Sequence, residues 1–362
     1  MDQSAREKFS QKMIDILNMG ALNLALGIGY QLGLFDVMDA MGGPAGSRQI
    51  AGKSGLNQRY IEEWLGVMAT GGVITVSRAD DGVLLFHLPK AHGDFLTRRS
   101  GNSNLGVYTQ EIPLLNRTAM DGVLKGFTTG EGVPYETYGK FQSFMSELAD
   151  AKHRQVLVDT FLPSVAKGEV VSALQKGIRV CDLGCGQGVA VCLMAKAFPN
   201  SWFVGLDISG EAIRDAAANA RQENLSNAEF RCLDAAKLSG SAEFGNAFQY
   251  ITAFDSIHDQ TRPMAALHGV YHMLRPGGFF SMVDIAASSD LSKNLDHPMG
   301  PFLYTVSLMH CMPVGLVDKG RGLGMMWGRE KALDMLARAG FSDIKVESIP
   351  EDSFNDHFLC RK

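Results

Sequence analysis

The chain has 362 residues, of which 46% are hydrophobic and 20% charged. That is the balance of a packed globular protein of about two domains, at roughly 150 residues each, and it excludes a disordered tail, a collagen and a disulfide miniprotein. Thirty-four lysines and arginines against 39 acidic residues leave a net charge of −5, which gives the surface no reason to seek the phosphates of nucleic acid.

The N-terminus, Met1 to Gln11, is polar, carries both signs of charge and does not read as a signal peptide. The most apolar stretch, 21–35, is interrupted by Asn23, Gln31 and glycines and falls short of the ~20 residues of a membrane span. Six cysteines, Cys181, Cys185, Cys192, Cys232, Cys311 and Cys360, mostly have apolar or glycine neighbours and read as buried thiols. A cytoplasmic protein with no membrane partner is expected.

From Phe9 to Met41, the residues Met13, Ile14, Leu17, Ala21, Leu24, Ala25, Ile28 and Leu32 recur at helical intervals, so a pair of amphipathic helices opens the fold. Residues 47–56, then Asn57 as an N-cap and 59–70 as a second helix, form a helix-turn-helix pattern. Two β-rich runs, 73–76 and 83–86, joined by Asp80-Asp81-Gly82, read as a hairpin. The result is a winged-helix pattern. Residues 1–100 hold ten basic and ten acidic side chains, and 59–70 carries Glu62, Glu63 and Trp64 where a DNA reader presents basic side chains. Dimerisation or a lid over a substrate is the expected role, and nucleic acid is not an expected partner.

Residues 101–170, rich in glycine and in aromatics such as Tyr108, Phe127, Tyr135, Tyr138, Phe141 and Phe144, read as a connector that becomes helical up to about Val158. From Gly177, apolar runs at 178–181, 202–206, 228–233, 250–253 and 279–283 alternate with helical stretches, the pattern of an α/β fold with a doubly wound parallel sheet. A long insertion at 285–327 precedes a helix at 330–339 and strands at 344–347 and 357–360. Three segments follow: a winged-helix domain at 1–100, a connector and lid at 101–170, and an α/β domain at 171–362.

Val180-Cys181-Asp182-Leu183-Gly184-Cys185-Gly186-Gln187-Gly188 runs from a strand into a glycine-rich turn and a helix, a place where backbone approaches a ligand closely. Asp207 ends the following strand, where a carboxylate can hold ribose hydroxyls. The glycine spacing differs from the G-x-G-x-x-G of dinucleotide folds. A carboxylate at Asp182 would also repel a diphosphate while suiting a ligand with an ammonium and a sulfonium.

Here the chain resembles the class I S-adenosylmethionine-dependent methyltransferases, whose first motif is an acidic residue followed by alternating glycines. The resemblance continues through Asp234 at the third strand end, Asp255 at the fourth, and Leu274-Arg275-Pro276-Gly277-Gly278 before the fifth. With the winged-helix half, the whole chain looks like the two-domain, often dimeric, small-molecule methyltransferases. The resemblance implies a Rossmann-like seven-stranded sheet and S-adenosyl-L-methionine as cofactor, with S-adenosyl-L-homocysteine as product. It has Gly184, Gly186 and Gly188 cradle the cofactor, with Asp182 facing its methionine end, Asp207 holding the ribose and Asp234 facing the adenine, and Ile208, Ala235 and Asp255 as further cofactor-binding residues.

A hydroxyl acceptor needs its proton removed, and His258, at the carboxyl end of the fourth strand, is the candidate base. Gln260 stands where the related O-methyltransferases have tryptophan. Tyr135 and Tyr138 are candidates to cover the sulfonium, with a bridge between domains as the alternative. In the insertion, Met309, His310, Cys311 and Trp327 are candidate acceptor contacts. Metal at His310 and Cys311 is disfavoured, because adjacent side chains point different ways on a helix. A homodimer acting on a small, apolar or aromatic methyl acceptor through O, S or N is expected. The alternatives are a cofactor-binding regulator, a scaffold without catalysis and an NAD-dependent oxidoreductase.

Overall fold

The structure is a computed structural model that describes residues 3–139, 144, 153–350 and 352–362. The chain divides into two compact units, Met1–Leu114 and Leu115–Lys362. Phe141 and the start of the expected helix ending near Val158 lie outside the described residues.

In the first unit, helix α1 (Gln3–Gln31) gives way to α2 (Leu34–Met41) at Gly33, whose φ of 68° ends the first helix. Helices α3 (Ser47–Ser54) and α4 (Gln58–Thr70) follow, and the Asn57 side chain accepts the Arg59 N–H at the start of α4. Trp64 of α4 donates its indole N–H to the carbonyl of Ala25 at 2.9 Å and stacks against Phe35. Its ring fills the space a side chain at Gly29 would need, so that glycine is where α1 and α4 come closest. Strands β1 (Thr75–Arg78) and β2 (Leu84–His87) pair antiparallel through the expected turn, completing the winged helix.

By length and composition, Ser4–Gln31 and Gly300–Lys319, of 28 and 20 residues, are apolar enough to cross a bilayer. A buried core helix passes the same test, and half of the second window is buried. Cys232 is exposed, unlike the other cysteines, because it closes an edge strand.

The second unit is built on a seven-stranded sheet in the order β5-β4-β3-β6-β7-β9-β8. Strands β3 (Arg179–Leu183), β4 (Trp202–Asp207), β5 (Ala228–Cys232), β6 (Phe248–Phe254) and β7 (Leu274–Ile285) run parallel, while β8 (Asp343–Ile349) and β9 (Asp352–Arg361) pair antiparallel to close it. The expected α/β fold and its helix at the C-terminal side, Arg329–Ala339, are present. Central strands are buried on both faces, which is why they read as unbroken apolar runs. One face packs Ile251, Phe280, Met282 and Phe358 into a core with helix Pro263–Met273 and Trp327, and the other packs Phe203, Tyr250 and Leu359 against Val191 and Met194.

The connector and insertion are more helical than their composition suggests. Glu111–Thr129 is a 19-residue helix despite Pro113, Gly122 and Gly126, and the insertion is a helical run over residues 300–316 instead of a loop. Both runs tolerate proline in a first turn, where no N–H is missed.

A polar chain crosses the sheet interior. Tyr250 donates to Ser281 Oγ, which lies 2.9 Å from His357 Nε2. Burial pushes the His357 imidazole down to about 4, and Glu347, 3.6 Å from Nδ1 and partly exposed, does not offset it. The unfolded chain therefore binds more protons between about pH 6.5 and 4, and stability falls as pH drops through that window. Urea unfolding is expected to show a loss of up to ~3 kcal/mol there, and His357→Gln is expected to flatten it; an equally steep loss in the variant would assign it to other groups.

Candidate functional site

Because β3, β4, β6 and β7 are parallel, their carboxyl ends meet at one edge of the sheet, where open α/β sheets take ligands. The turn after β3 holds Gly184, Gly186 and Gly188 at φ of 75°, 51° and 76°, conformations that side chains resist. The three glycines do different things. A Cβ at Gly184 would strike the Ser256 side chain, and one at Gly188 would lie 2.5 Å from the Phe230 ring and 2.8 Å from Ala216. These two let the turn pack. Only Gly186 faces open space, with nothing within 4 Å.

One carboxylate holds that glycine, and a second lies close enough to feel its charge. Asp207 accepts the Gly186 N–H on Oδ2 at 2.9 Å and the Ser209 N–H on Oδ1 at 2.8 Å. Burial nevertheless holds its pKa above the usual range. Asp182 is buried and accepts the Thr252 hydroxyl at 2.7 Å. Burial pushes its carboxyl up to about 7, Thr252 works against that, and the charge of Asp207 adds to it. A cationic group placed here relieves both acids, and a diphosphate would add repulsion.

Further along the same edge, Ile208 is 68% exposed and Leu233 37%, so an apolar surface lies beside the ends of β4 and β5. Asp234 caps the short turn 235–240 through the Ala236 N–H at 2.9 Å, and Ala235 is buried beneath it. Asp255, held at φ of 47°, fixes the loop after β6 through its N–H to the Val283 carbonyl, and Asn355 donates to its carboxylate at 3.4 Å.

That loop carries His258, which is 2% exposed. Its Nδ1 lies 2.7 Å from Asp284 Oδ1 and its Nε2 lies 3.4 Å from Asp259 Oδ1. Burial pulls the imidazole down, but the charges of Asp284 and Asp259 outweigh it and raise His258 well above its ordinary value. Asp284 Oδ1 also accepts the Ile285 N–H at 2.9 Å, which fixes the carboxylate. With Nδ1–H committed to Asp284, the neutral ring presents Nε2 as its basic nitrogen. Sequence reading missed Asp284 and Thr252; a carboxylate at the end of β7, on the edge where His258 sits, is the signal that finds the first.

The helical run of the insertion widens into a π turn over Ser307–Cys311, a feature that recurs at functional sites. His310 and Cys311 are both buried there, with Sγ 3.5 Å from Nδ1. The expectation that adjacent side chains diverge does not keep these two apart, since Sγ and Nδ1 touch. Tyr138 packs edge-on to the His310 ring at 4.7 Å, donates to the Met309 carbonyl at 2.8 Å and has Tyr135 beside it at 6.5 Å. The structure thus brings Tyr135, Tyr138, Met309, His310 and Cys311 together near His258. Trp327 is different: it is buried among Ala332, Met335 and Leu336 in the sheet core.

A family profile described as a methyltransferase domain matches residues 174–310, and one described as an Rv2258c-like winged HTH domain matches residues 20–98. Residues 174–310 are a methyltransferase domain. Over 114 residues the chain is 34% identical to trans-aconitate 2-methyltransferase of Deinococcus radiodurans, covering 31% of this chain and 39% of that relative. The chain therefore spans well under two thirds of that relative's length. Among solved structures, human N-acetylserotonin methyltransferase in complex with SAM superposes with a TM-score of 0.69 at 18% identity, covering 100% of this chain and 98% of that one. An O-methyltransferase from Nostoc punctiforme gives 0.70 at 16%, over 97% and 98%. These likenesses place the seven-stranded methyltransferase sheet and the winged-helix half in one known fold.

The glycines of the methyltransferase domain separate packing from ligand approach. Gly186→Ala is expected to fold with a loss of about 1 to 2 kcal/mol from its left-handed backbone, whereas Gly188→Ala, forced against Phe230 and Ala216, is expected to lose more. Equal melting temperatures for the two variants would contradict this division.

Proposed function

We propose that the protein is an S-adenosylmethionine-dependent methyltransferase acting on a hydroxyl of a small, apolar or aromatic molecule. The observation that carries this reading is a pair of carboxylates at the glycine turn, the buried Asp182 and the half-buried Asp207, of which Asp207 holds the N–H of Gly186, the glycine of the turn that faces open space. In this reading Asp182 faces the methionine end, Asp207 and Ile208 the ribose, and Asp234 and Ala235 the adenine, with Gly184, Gly188 and Asp255 shaping the cradle. When bound, the cofactor supplies an electrophilic methyl group on a sulfonium. Tyr135 and Tyr138, in the 101–170 connector, cover that end and keep water out, while Met309, His310 and Cys311 form the acceptor side and Trp327 stays in the sheet core.

His258 removes the proton of the acceptor hydroxyl at Nε2, and Asp284 holds the ring and stabilises the imidazolium that forms. The oxidoreductase reading is disfavoured by the same two carboxylates. The regulator reading is disfavoured by the balanced charge of residues 1–100. We place the enzyme in the cytoplasm, without a nucleic-acid or membrane partner. The exposed apolar side chains of α1, among them Phe9, Leu17 and Met19, are read as the face that a second copy covers.

Calorimetry is expected to show heat with S-adenosylhomocysteine and none with NADH; the reverse sinks the reading. With a phenolic acceptor, His258→Gln is expected to lower turnover by about 10² to 10⁴ without loss of cofactor binding, and unchanged turnover removes His258 from the chemistry. Because the raised His258 must lose its proton to act, kcat/KM should climb as pH rises past neutrality. Sedimentation should show a dimer that Leu17→Glu dissociates; a wild-type monomer would refute the pairing.

A further inference from the structure

The loop after β6 and the π turn of the insertion bring three different donor atoms together. His258 Nε2, Asp259 Oδ1 and Cys311 Sγ all lie within 4.8 Å of one another. His258 and Cys311 are buried, and Asp259 is largely covered.

Two observations go beyond proximity. The imidazole is already oriented as a ligand: Nδ1 is held by Asp284 Oδ1 at 2.7 Å, leaving Nε2 to face the other two donors. A carboxylate behind the imidazole is the arrangement that fixes metal-binding histidines. Charge is also unbalanced. Asp259 Oδ1 and Asp284 Oδ2 are buried without a hydrogen-bond partner, and among the described residues both carboxylates have only His258 as a cationic neighbour. Two acids around one imidazole leave a negative charge in a low-dielectric interior, which is costly.

The geometry points to a site for one zinc ion, with His258 Nε2, Asp259 Oδ1 and Cys311 Sγ as protein ligands and the fourth position open. Nitrogen, oxygen and sulfur together suit zinc, whereas magnesium and calcium take oxygen ligands alone. Tetrahedral zinc with bonds of about 2.0 to 2.3 Å sets its ligands roughly 3.5 Å apart, so the donors must close by about 1 Å, a movement on the scale of side-chain rotation. On binding, the Cys311 S–H bond and the His258 Nε2–H bond break, both protons pass to solvent and zinc–sulfur and zinc–nitrogen bonds form, with no change of oxidation state. His258 binds as the neutral ring and keeps its Nδ1–H on Asp284. The thiolate and Asp259 then match the ion's two charges while Asp284 keeps its own, so the ion takes the place of the two protons released and the net charge of the cluster is unchanged.

The inference goes beyond the methyl-transfer reading and does not rest on it. If both hold, zinc occupies the nitrogen that removes the acceptor's proton, so the metal-bound enzyme is arrested with hydroxyl acceptors until the ion is chelated.

The test uses the full chain stripped of metal by a chelator and titrated with cobalt(II), then with zinc in competition. The wild type is expected to take one equivalent and to show a thiolate-to-cobalt charge-transfer band. Cys311→Ser should abolish that band and weaken binding at least about tenfold, with Asp284→Asn weakening it about 10- to 100-fold; circular dichroism checks that both variants fold. X-ray absorption on zinc-loaded wild type needs no variant and should find one sulfur at ~2.3 Å among nitrogen or oxygen ligands at ~2.0 Å. No stoichiometric uptake, no sulfur neighbour, or a band that survives in Cys311→Ser and so belongs to another thiol such as exposed Cys232, overturns the site. Loss of S-adenosylhomocysteine binding with zinc uptake intact would sink the methyl-transfer reading alone.

Discussion

The second unit depends on carboxylates that a parallel sheet buries or half-buries at one edge. Asp182 on β3, Asp207 at the end of β4 and Asp284 near the end of β7 reach that edge together, because parallel strands all finish on the same side. Removing a carboxylate from water is costly unless a partner takes the place of the lost hydration. Asp182 has the Thr252 hydroxyl, Asp207 has two backbone N–H groups, and Asp284 has the His258 ring.

These partners differ in kind, and so do their consequences. Backbone N–H groups anchor Asp207 and tie the glycine turn to β4, which makes the cradle rigid before any ligand arrives. A single neutral hydroxyl leaves Asp182 under-compensated, so its carboxyl sits near neutrality and favours a cation. The imidazole on Asp284 is a titratable partner, and that is what turns a structural pair into a group able to move a proton. One sheet edge thereby carries two carboxylates at the glycine turn and a third paired with an imidazole, the arrangement on which the proposed methyl transfer rests.

The insertion completes the arrangement through its backbone. A regular α-helix advances each residue by 100° and would separate His310 from Cys311. The π turn over Ser307–Cys311 instead leaves both side chains inside, one against Tyr138 and the other beside His258. Gly132, where a Cβ would collide with the backbone around Pro313 and Leu316, lets the strand of chain bearing Tyr135 and Tyr138 lie directly on that run. The Val133 N–H donates to the Pro313 carbonyl at 3.1 Å.

Much of this was legible in one dimension. Alternating apolar runs, the Asp182 to Gly188 turn and the position of His258 after a strand are local patterns with local physical causes, and they determined the fold class, the ligand edge and the candidate base. Asn57 as a cap and the Asp80 to Gly82 hairpin were likewise read from short-range chemistry. Only tertiary structure decided which glycine of the turn faces open space, since Gly184 and Gly188 are filled by Ser256, Phe230 and Ala216 from distant segments. It alone paired His258 with Asp284 and brought Cys311 to both. Those meetings depend on strand order and on an irregular helical turn, and neither leaves a period or a motif in the sequence.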